Sequence, residues 1–497
     1  MRKSLLIVFG IFIIAITIRL YFAFQTPYFA DTESYFHLRQ IEHIKESGLP
    51  LFKDNLSYGG RTYVFLPFFH YLIAFFTLFS PVLFIAKIIP AILASFSILL
   101  VYLIAKKITN LEEVSVISAF IAAFIPIYFK ETINILSIYS LAIPLSLLLI
   151  YFYLTVNAKG YAILLTGTLL LFLLTKPTIM IMILSFIVYI IFIKIENLPI
   201  EREETEIVLF SVILSLWFYL LLYKNAFLTH SYAFLWHNVP LKYFTSYFNQ
   251  ISIMEAIYQI GIIPFFAGIY CTYKYVFKKR EKAMYLLISV VITTTLLMWL
   301  QLIELNVALI YLSFFMILLF AKILADFLKY LQETKFNRYK PVILSILIVI
   351  FLLSSVLPSL VYANQNLQTN TKQNEINALL YLYANTEQDA TILASLHDGH
   401  MIAYFANRKT VADDNFMLID NINERVTDID TLFTTYSKIK AAEILDKYSV
   451  DYIMLSDQVK KEYSLTDLRF IDDQCFEKSV IYNVTIYKNK CKLVTSN

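Results

Sequence analysis

Two carboxylates stand two residues apart just after the first apolar stretch of the chain. They are Asp31 and Glu33, in a run that reads Asp-Thr-Glu-Ser-Tyr-Phe-His-Leu-Arg. If the backbone is extended here, both side chains point the same way, and paired carboxylates bind divalent cations such as Mg²⁺ or Mn²⁺. Such an ion would clamp a diphosphate leaving group. His37 adds a ligand for metal, phosphate or sugar, and Arg39 adds a forked contact for phosphate oxygens.

An ordinary structural role fits the same run. Asp31 or Thr32 would be the N-cap of an interfacial helix, and Glu33 would be favourable in its first turn. Farther along, a Gly-Gly pair permits a tight turn just before Arg61, which stands among aromatic residues. The residue types therefore indicate a phosphate or sugar site, whereas the spacing alone fits a helix start equally well.

The elements that must hold these residues are mostly membrane spans. The chain is 59% hydrophobic and only 16% charged, whereas a soluble protein is about one quarter charged. Apolar runs of about 20 residues recur through the first two thirds of the sequence. The net charge of +4 gives no argument for a nucleic-acid partner.

We predict about eleven spans. They lie roughly at 4–24, 85–105, 114–129, 141–157, 162–175, 178–194, 207–223, 257–276, 284–301, 306–328 and 341–362.

Basic residues cluster in short loops that all fall on one face if about eleven spans are counted. We predict that this face is cytoplasmic and carries the N-terminus, and that the first apolar stretch is an uncleaved span of the plasma membrane. The opposite face then receives the external loops 25–84, 130–140 and 224–256 and the tail. The basic clusters are Arg2–Lys3, Lys106–Lys107, Lys278–Lys282 and Lys329–Lys340.

The tail, 363–497, differs in kind from the transmembrane domain, 1–362. Helix patterns near Glu375–Ala384 and Ile439–Lys447 alternate with strand patterns that begin near Ala390, Asp451 and Ser479. This alternation predicts a small α/β extracytoplasmic domain. Cys475 and Cys491 would form a disulfide if the tail faces an oxidising space; two free thiols on neighbouring strands are the equal alternative.

A second polar cluster lies in the tail, in the run Ser-Leu-His-Asp-Gly-His that ends at residue 400. His397, Asp398 and His400 have the side chains to bind a metal or an acceptor. A buried, hydrogen-bonded turn beside a strand is the alternative. Asp413–Asp414, farther on, predict a turn or a cap.

Several of these motifs together resemble a known family. Glu33-Ser-Tyr-Phe-His-Leu-Arg39, the Tyr58-Gly-Gly-Arg61 turn and Pro67-Phe-Phe-His-Tyr71 are similar to the N-terminal part of archaeal oligosaccharyltransferase catalytic subunits. That family belongs to the GT-C class of polytopic membrane glycosyltransferases. Ser395–His400, with Phe405–Asn415 after it, is similar to the segment that holds the family's Trp-Trp-Asp-Tyr-Gly motif, which binds the acceptor sequon.

The resemblance also shows where this chain departs from the family. Glu33 falls where the family has its first catalytic Asp. Ser137 and Tyr139 fall where an acidic metal-binding pair is expected, and Glu131 is the nearest carboxylate. Leu396-His397 replace the two tryptophans of the sequon motif. For the Glu that the family carries in a later external loop, the resemblance leaves Glu255 and Glu304 as candidates.

Lysines near the external span ends offer another way to hold a phosphate. Several GT-C enzymes use monophosphate-linked sugars, and this chain resembles them in part. In those enzymes a carboxylate is the base and basic residues hold the phosphate. Lys130 and Lys176 lie near predicted external boundaries and suit that role. Their alternative is the ordinary snorkelling of lysines at span ends.

The sequence therefore predicts a glycosyltransferase that moves a sugar or oligosaccharide from a polyprenyl-phosphate or -diphosphate carrier to an extracytoplasmic protein, lipid or glycan acceptor. Its fold would be an α-helical polytopic GT-C-like membrane domain followed by the α/β domain. The resemblance implies a divalent metal, Mg²⁺ or Mn²⁺. The departures favour an alternative, a non-catalytic scaffold or carrier-binding subunit. A secondary transporter is disfavoured because the polar residues gather in external loops rather than at mid-membrane.

Overall fold

The computed structural model describes residues 2–57, 60–156, 160–248, 251–368 and 373–491. The chain divides into two compact units. The helical unit comprises Met1–Pro27, Phe65–Leu222 and Ser246–Gln368, and the tail unit comprises Tyr28–Val64, Tyr223–Thr245 and Thr369–Asn497. Tyr58 and Gly59, half of the predicted Gly-Gly turn, lie outside the described residues.

Helices dominate the part of the chain that the structure describes, and seven short strands accompany them there. In chain order the helices are α1 Arg2–Ala23, α2 Glu33–Ser47, α3 Phe68–Phe76, α4 Val82–Thr109, α5 Glu112–Ala123, α6 Pro126–Thr132, α7 Tyr139–Tyr153, α8 Tyr161–Leu173, α9 Ile179–Ile195, α10 Arg202–His230, α11 Leu241–Tyr247, α12 Ile253–Ile260, α13 Ile262–Phe277, α14 Lys282–Trp299, α15 Leu305–Gln332, α16 Lys340–Phe351, α17 Leu357–Gln368, α18 Gln373–Asn385, α19 Gly399–Met401, α20 Ile422–Thr434, α21 Lys438–Lys447 and α22 Asp457–Glu462. The strands are β1 Lys53–Asp54, β2 Arg61–Thr62, β3 Thr391–Leu393, β4 Lys409–Thr410, β5 Tyr452–Leu455, β6 Phe476–Ile481 and β7 Val484–Asn489.

The long apolar helices make this a multi-pass membrane protein. Among the described residues, six helical stretches are long and apolar enough to span a bilayer, and the count becomes eight if two bent pairs each form one span. The bent pairs are α5 with α6, at 45°, and α12 with α13, at 95°. Three shorter apolar helices, α7, α8 and α9, coincide with three further predicted spans. A count of about eleven requires these three to cross as well, and stays a prediction.

Among the described residues of the helical unit, Arg19 and Lys87 are buried cations that contact nearby oxygens and rings, whereas Nε of Arg19 has no hydrogen-bond partner. Arg19 donates to the Thr132 hydroxyl at 2.7 Å and stacks on the ring of Phe129. Lys87 donates to the carbonyl oxygens of Ala23, at 2.6 Å, and Thr26, at 2.5 Å. Because a cation in an apolar interior needs such partners, these contacts fix α1 against α6 and α4.

The tail unit is built on a five-stranded sheet. The strand order is β4-β3-β5-β7-β6; β3 is parallel to β4 and β5, and β7 is antiparallel to β5 and β6. The strands predicted near 390–395, 451–456 and 479–488 are confirmed as β3, β5 and the β6–β7 hairpin. The predicted helices near Glu375 and Ile439 are confirmed as α18 and α21. Cys475 and Cys491 form a disulfide, which decides between the two alternatives for these residues.

Candidate functional site

Helix α2 carries the carboxylate cluster, and its backbone corrects one expectation. Thr32 is helical, with φ −81° and ψ −29°, and its side chain makes no capping hydrogen bond. The extended backbone that would point Asp31 and Glu33 the same way is therefore absent here. Thr32 occupies the N-cap position, as one of the two alternatives had it, but its side chain does not cap the helix. Glu33 stands in the first turn, as the helix-start interpretation predicted. The Ser34 hydroxyl donates to the Asp31 carboxylate, and burial raises the pKa of Asp31 to about 7.

Glu33 is the accessible carboxylate of the cluster. Its side chain is 63% exposed, and its Oε1 lies 3.6 Å from Nε2 of His37, one turn later. The opposite face of α2 is buried through Tyr35, Leu38 and Ile41. This packing holds the helix in place and leaves the Glu33 carboxylate accessible, with the His37 imidazole beside it.

Arg39, which was predicted to bind phosphate, and Arg61, which was predicted to bind substrate, are both engaged inside the tail unit. Arg39 forms a bidentate ion pair with Asp54, at 2.9 and 2.6 Å. Burial alone would raise the pKa of Asp54, but the hydrogen bonds and charge of Arg39 hold it below its usual value. Arg61 pairs with Asp413, and its Nη1 donates to the Asn415 carbonyl at 2.8 Å. Their binding roles stay predictions, and they would require sharing these contacts.

His400 is buried against two aspartates. Its Nε2 lies 2.8 Å from Oδ1 of Asp414, and its Nδ1 lies 3.9 Å from Oδ2 of Asp413. Burial lowers the pKa of His400, but the two carboxylates outweigh it and raise the value to about 9. His397 is exposed and lies 3.6 Å from Asp414. The sequence interpretation of Asp413–Asp414 as a turn or cap missed this partnership, although two histidines three residues apart followed by an Asp-Asp pair were a usable signal.

Gly399 allows this cluster to form. A Cβ at Gly399 would lie 2.5 Å from Cβ of Asp413 and 2.7 Å from the carbonyl oxygen of Ala412. Only a residue without a side chain lets the two segments approach so closely. The glycine thus sets the distance between His400 and its carboxylates.

Asp398 is buried and hydrogen-bonded from within the tail. Its Oδ2 accepts from the hydroxyls of Ser395, at 2.8 Å, and Ser456, at 2.7 Å. Burial raises the pKa of this carboxyl. This geometry matches the predicted buried turn. Ser456, which begins the segment after β5, was missed because nothing in the local sequence links it to Asp398.

His400, Asp413 and Asp414 form the one group of three metal-type ligands found among the described residues, with ligand atoms within 4.8 Å of one another. One imidazole and two carboxylates suit Zn²⁺ or Mn²⁺ by donor type. The group does not need an ion for charge balance, however, because Arg61 and protonated His400 offset the two carboxylates. Asp31 and Glu33 do not belong to this group. As a carboxylate pair they still fit an oxygen-preferring cation by donor type.

The remaining residues that the sequence predicted for the site lie in the helical unit. Glu131 accepts from Nδ2 of Asn306 at 2.9 Å, and Asn306 follows Glu304 at the start of α15. The structure therefore brings the second of the loops predicted to be external and one of the two later glutamates to the same place. Lys130 precedes Glu131 on α6. Glu255 instead lies in the first turn of α12, where its carboxylate accepts from Gln259.

The fold is that of the GT-C membrane glycosyltransferases, which confirms the resemblance drawn from the motifs. The apo oligosaccharyltransferase of Archaeoglobus fulgidus superposes with a TM-score of 0.65 at 15% identity, covering 92% of this chain and 70% of that one. ArnT from Cupriavidus metallidurans gives 0.52 at 11% identity, covering 96% and 97%. The Archaeoglobus enzyme is also known in complex with an inhibitory peptide and a dolichol-phosphate, and with Zn and sulfate; ArnT is known bound to undecaprenyl phosphate.

Sequence comparison gives a narrower match. A dolichyl-phosphooligosaccharide-protein glycotransferase of Archaeoglobus fulgidus is 34% identical over 112 residues. This stretch is 21% of the present chain and only 19% of that relative. No protein-family model matches the chain. The similarity therefore establishes the fold and leaves the activity to be argued from the residues.

Proposed function

We propose that this chain is a membrane glycosyltransferase that moves a sugar or oligosaccharide from a polyprenyl-phosphate or -diphosphate carrier to an extracytoplasmic protein, lipid or glycan. The observation that carries the proposal is Glu33, an exposed carboxylate on a buried helix in a glycosyltransferase fold. Dolichol-phosphate and undecaprenyl phosphate in the similar structures support a polyprenyl carrier.

In this proposal Glu33 is the catalytic carboxylate and Asp31 assists it. Glu33 would hold Mg²⁺ or Mn²⁺ or would take the acceptor proton, and His37 would orient it. A divalent cation would supply charge neutralisation for the departing phosphate. The Zn in one similar structure supports a metal in this fold. His400 and Asp398 would shape the acceptor side of the tail.

The topology belongs to the same proposal. We place about eleven spans in the plasma membrane, with the N-terminus in the cytoplasm and residues 363–497 as an extracytoplasmic domain. The proposed boundary at 362 falls within α17, which ends at Gln368, and the five-stranded sheet comes after that helix. The disulfide in the tail supports an oxidising compartment for it.

Replacing one carboxylate tests the assignment. We expect Glu33→Gln to reduce transfer at least about 100-fold with unchanged expression, because the amide keeps the shape and loses the charge. Transfer is measured with the full-length protein in vesicles made with lipid extract from the source membranes, in which the carrier-linked sugar is radiolabelled. Glu46→Gln, at an exposed position of the same helix, is the matched control. Near-normal turnover of the Glu33→Gln protein contradicts the assignment.

One observation favours the second candidate, a non-catalytic carrier-binding scaffold. The side chains of Arg39, Arg61 and Asp398 all form hydrogen bonds or ion pairs with partners within the tail unit. A scaffold needs such bonds for stability and needs no reactive group. Tight carrier binding by the wild-type protein, without any transfer in the same assay, would identify it.

A further inference from the structure

The turn between strands β6 and β7 carries a short motif that the candidate functional site does not use. Residues 483–485 read Asn-Val-Thr. This is the acceptor pattern of N-linked glycosylation, an Asn followed two residues later by Ser or Thr, with a residue other than Pro between them. A second such triplet, Asn55-Leu56-Ser57, lies between β1 and β2. The surroundings of the two asparagines differ.

Asn483 lies at the tip of a tight hairpin. Strands β6 and β7 pair up to Ile481 and Val484, so Tyr482 and Asn483 are the two residues of the turn. Both have positive φ, 49° and 67°, as in the type I′ turns that join adjacent strands. Both residues are exposed, and the side-chain amide of Asn483 has no hydrogen-bond partner among the described residues. The acceptor nitrogen is therefore open to solvent.

Thr485, the hydroxyl residue of the same triplet, is buried. It is only 7% exposed, because it stands in β7 between Val480 of β6 and Leu455 of β5. A transferase that reads this hydroxyl must act before β7 pairs with β5, while the tail is still folding. A glycan added at that stage would project from the exposed tip and would displace no packed side chain. The completed fold therefore accommodates a modified Asn483.

Asn55 is exposed as well, but both of its neighbours are tied to other parts of the tail unit. Asp54 forms the ion pair with Arg39, and the carbonyl oxygen of Leu56 accepts from the backbone N–H of Thr410 at 2.8 Å. A glycan on Asn55 would lie next to these contacts, whereas Asn483 follows an exposed tyrosine. The hairpin tip is therefore the better position for a bulky, polar addition.

The disulfide brackets this same hairpin. Cys475 directly precedes β6, and Cys491 comes two residues after the end of β7. A disulfide is typical of an oxidising compartment outside the cytoplasm. In the proposed function, sugars are transferred from their lipid carriers on that same side of the membrane. The hairpin and the sugar donor would therefore meet in one compartment.

We propose that Asn483 is an N-glycosylation site, which receives a sugar or oligosaccharide from a polyprenyl-phosphate or -diphosphate carrier. A bond forms between Nδ2 of Asn483 and C1 of the sugar. The bond from C1 to the phosphate oxygen breaks, and its electron pair leaves with the carrier phosphate. One amide proton passes to a base of the transferase, so the step needs no oxidant or reductant. The proposal goes beyond the proposed function and rests on it for the extracytoplasmic position of the tail.

Peptide mapping by mass spectrometry tests this site. Full-length protein is purified from the membranes of its source cells, reduced, alkylated and digested with trypsin. Cleavage after Lys478 and Lys488 releases residues 479–488, in which Asn483 is the one asparagine. Electron-transfer fragmentation keeps a glycan attached and identifies the residue that carries it. Asn483→Gln, Thr485→Val and Thr485→Ser are produced in the same cells.

We expect the wild-type peptide to carry a glycan mass on Asn483. Thr485→Val should lose this mass although Asn483 is unchanged, because valine keeps the buried shape and lacks the hydroxyl. Thr485→Ser should keep the mass on at least part of the protein, and Asn483→Gln should lose it. Melting temperatures check that the variants fold. If Thr485→Val does not fold, Asn483→Gly, which suits the positive φ of the turn, supplies the loss on a folded protein.

Three results would overturn the proposal. They are an unmodified wild-type peptide, an added mass that persists in Asn483→Gln, and a glycan on Asn55 while Asn483 is bare. The outcome is separate from that of the catalytic proposal. A glycan on wild-type Asn483, together with full transfer by Glu33→Gln, would reject the catalytic carboxylate and retain this site. A bare Asn483 in a protein whose transfer depends on Glu33 would reject this site alone.

Discussion

His400 is the buried titratable residue that most clearly links structure to pH. Its ring lies between two carboxylates, and Arg61 holds one of them. In the unfolded chain the imidazole has its usual pKa near 6.5, whereas the fold raises the pKa to about 9. The folded protein therefore binds this proton more tightly than the unfolded chain does, so the proton stabilises the fold.

The sign of the pH dependence follows from this shift. The stabilisation is fully present below about pH 6.5 and is lost as the pH rises through about 9. It amounts to roughly 3 kcal/mol of unfolding free energy. We expect the melting temperature of the wild type to fall between pH 7 and pH 9.5. His400→Gln should flatten this fall, and His43→Gln, which changes a histidine of α2, should not. Parallel curves for the wild type and His400→Gln would contradict the account.

Asp31 contributes to the pH dependence of stability at lower pH than His400 does. Burial raises its pKa to about 7, so the folded state holds this proton more tightly too, and the associated stability is lost between about pH 4 and pH 7. The measurement above pH 7 therefore isolates His400 from Asp31.

At the residue scale, the sequence predicted the local setting of a site residue better than it predicted the residues that this residue contacts. Glu33 in a helix start and Asp398 in a buried turn followed from local pattern. The Arg39–Asp54 and Arg61–Asp413 pairs did not, because their members are 15 and 352 residues apart and no local rule connects such positions. A residue that looks free for phosphate in the sequence can thus be engaged by a distant carboxylate.

At the element scale, the short turn from Ser395 to Met401 organises the tail site. It places His400 against Asp413 and Asp414 and returns Asp398 to Ser456 on the segment after β5. Helices α18 and α21 and strands β3, β5, β6 and β7 followed from hydrophobic periodicity, whereas α20, α22 and β4 were not predicted. The close approach at Gly399 did not, since a glycine in a sequence does not say which segment will lie against it.

Gly399→Ala tests that close approach. The new methyl group would overlap Cβ of Asp413 and the carbonyl of Ala412, so the segments must move apart. We expect a loss of about 1–3 kcal/mol in unfolding free energy, with a lowered pKa of His400 as its carboxylates recede. Denaturant unfolding followed by the near-ultraviolet signal measures the first effect, and titration of the imidazole by NMR measures the second.

Gly167→Ala is the matched control for this substitution. A Cβ at Gly167, inside α8, meets no atom within 4 Å, and alanine is the better helix former by about 0.5–1 kcal/mol. We therefore expect unchanged or slightly higher stability. Equal stability of Gly399→Ala and Gly167→Ala would show that the contact at Gly399 does not constrain the turn.

At the scale of the whole molecule, the chain joins an apolar helical unit to a polar unit with a sheet and a disulfide. The spans followed from long apolar runs, but their number did not, because α7, α8 and α9 are short and length alone does not say whether a short helix crosses. The proposed orientation rests on two independent observations. Basic residues fall on one face when about eleven spans are counted, and Cys475 is bonded to Cys491 in the tail, which is typical of an oxidising compartment.

Thiol labelling on intact cells tests this orientation. In a Cys271→Ala variant, which lacks the buried free thiol, Cys475 and Cys491 are the remaining cysteines. We expect a membrane-impermeant maleimide to leave this protein unlabelled, and to label it after an impermeant reductant opens the disulfide. A triple variant with Cys475→Ser and Cys491→Ser added should never be labelled, which controls for other nucleophiles. Because both reagents stay outside, labelling that requires permeabilised cells would place the tail in the cytoplasm, and with it Asp31 and Glu33 would lose access to an external acceptor.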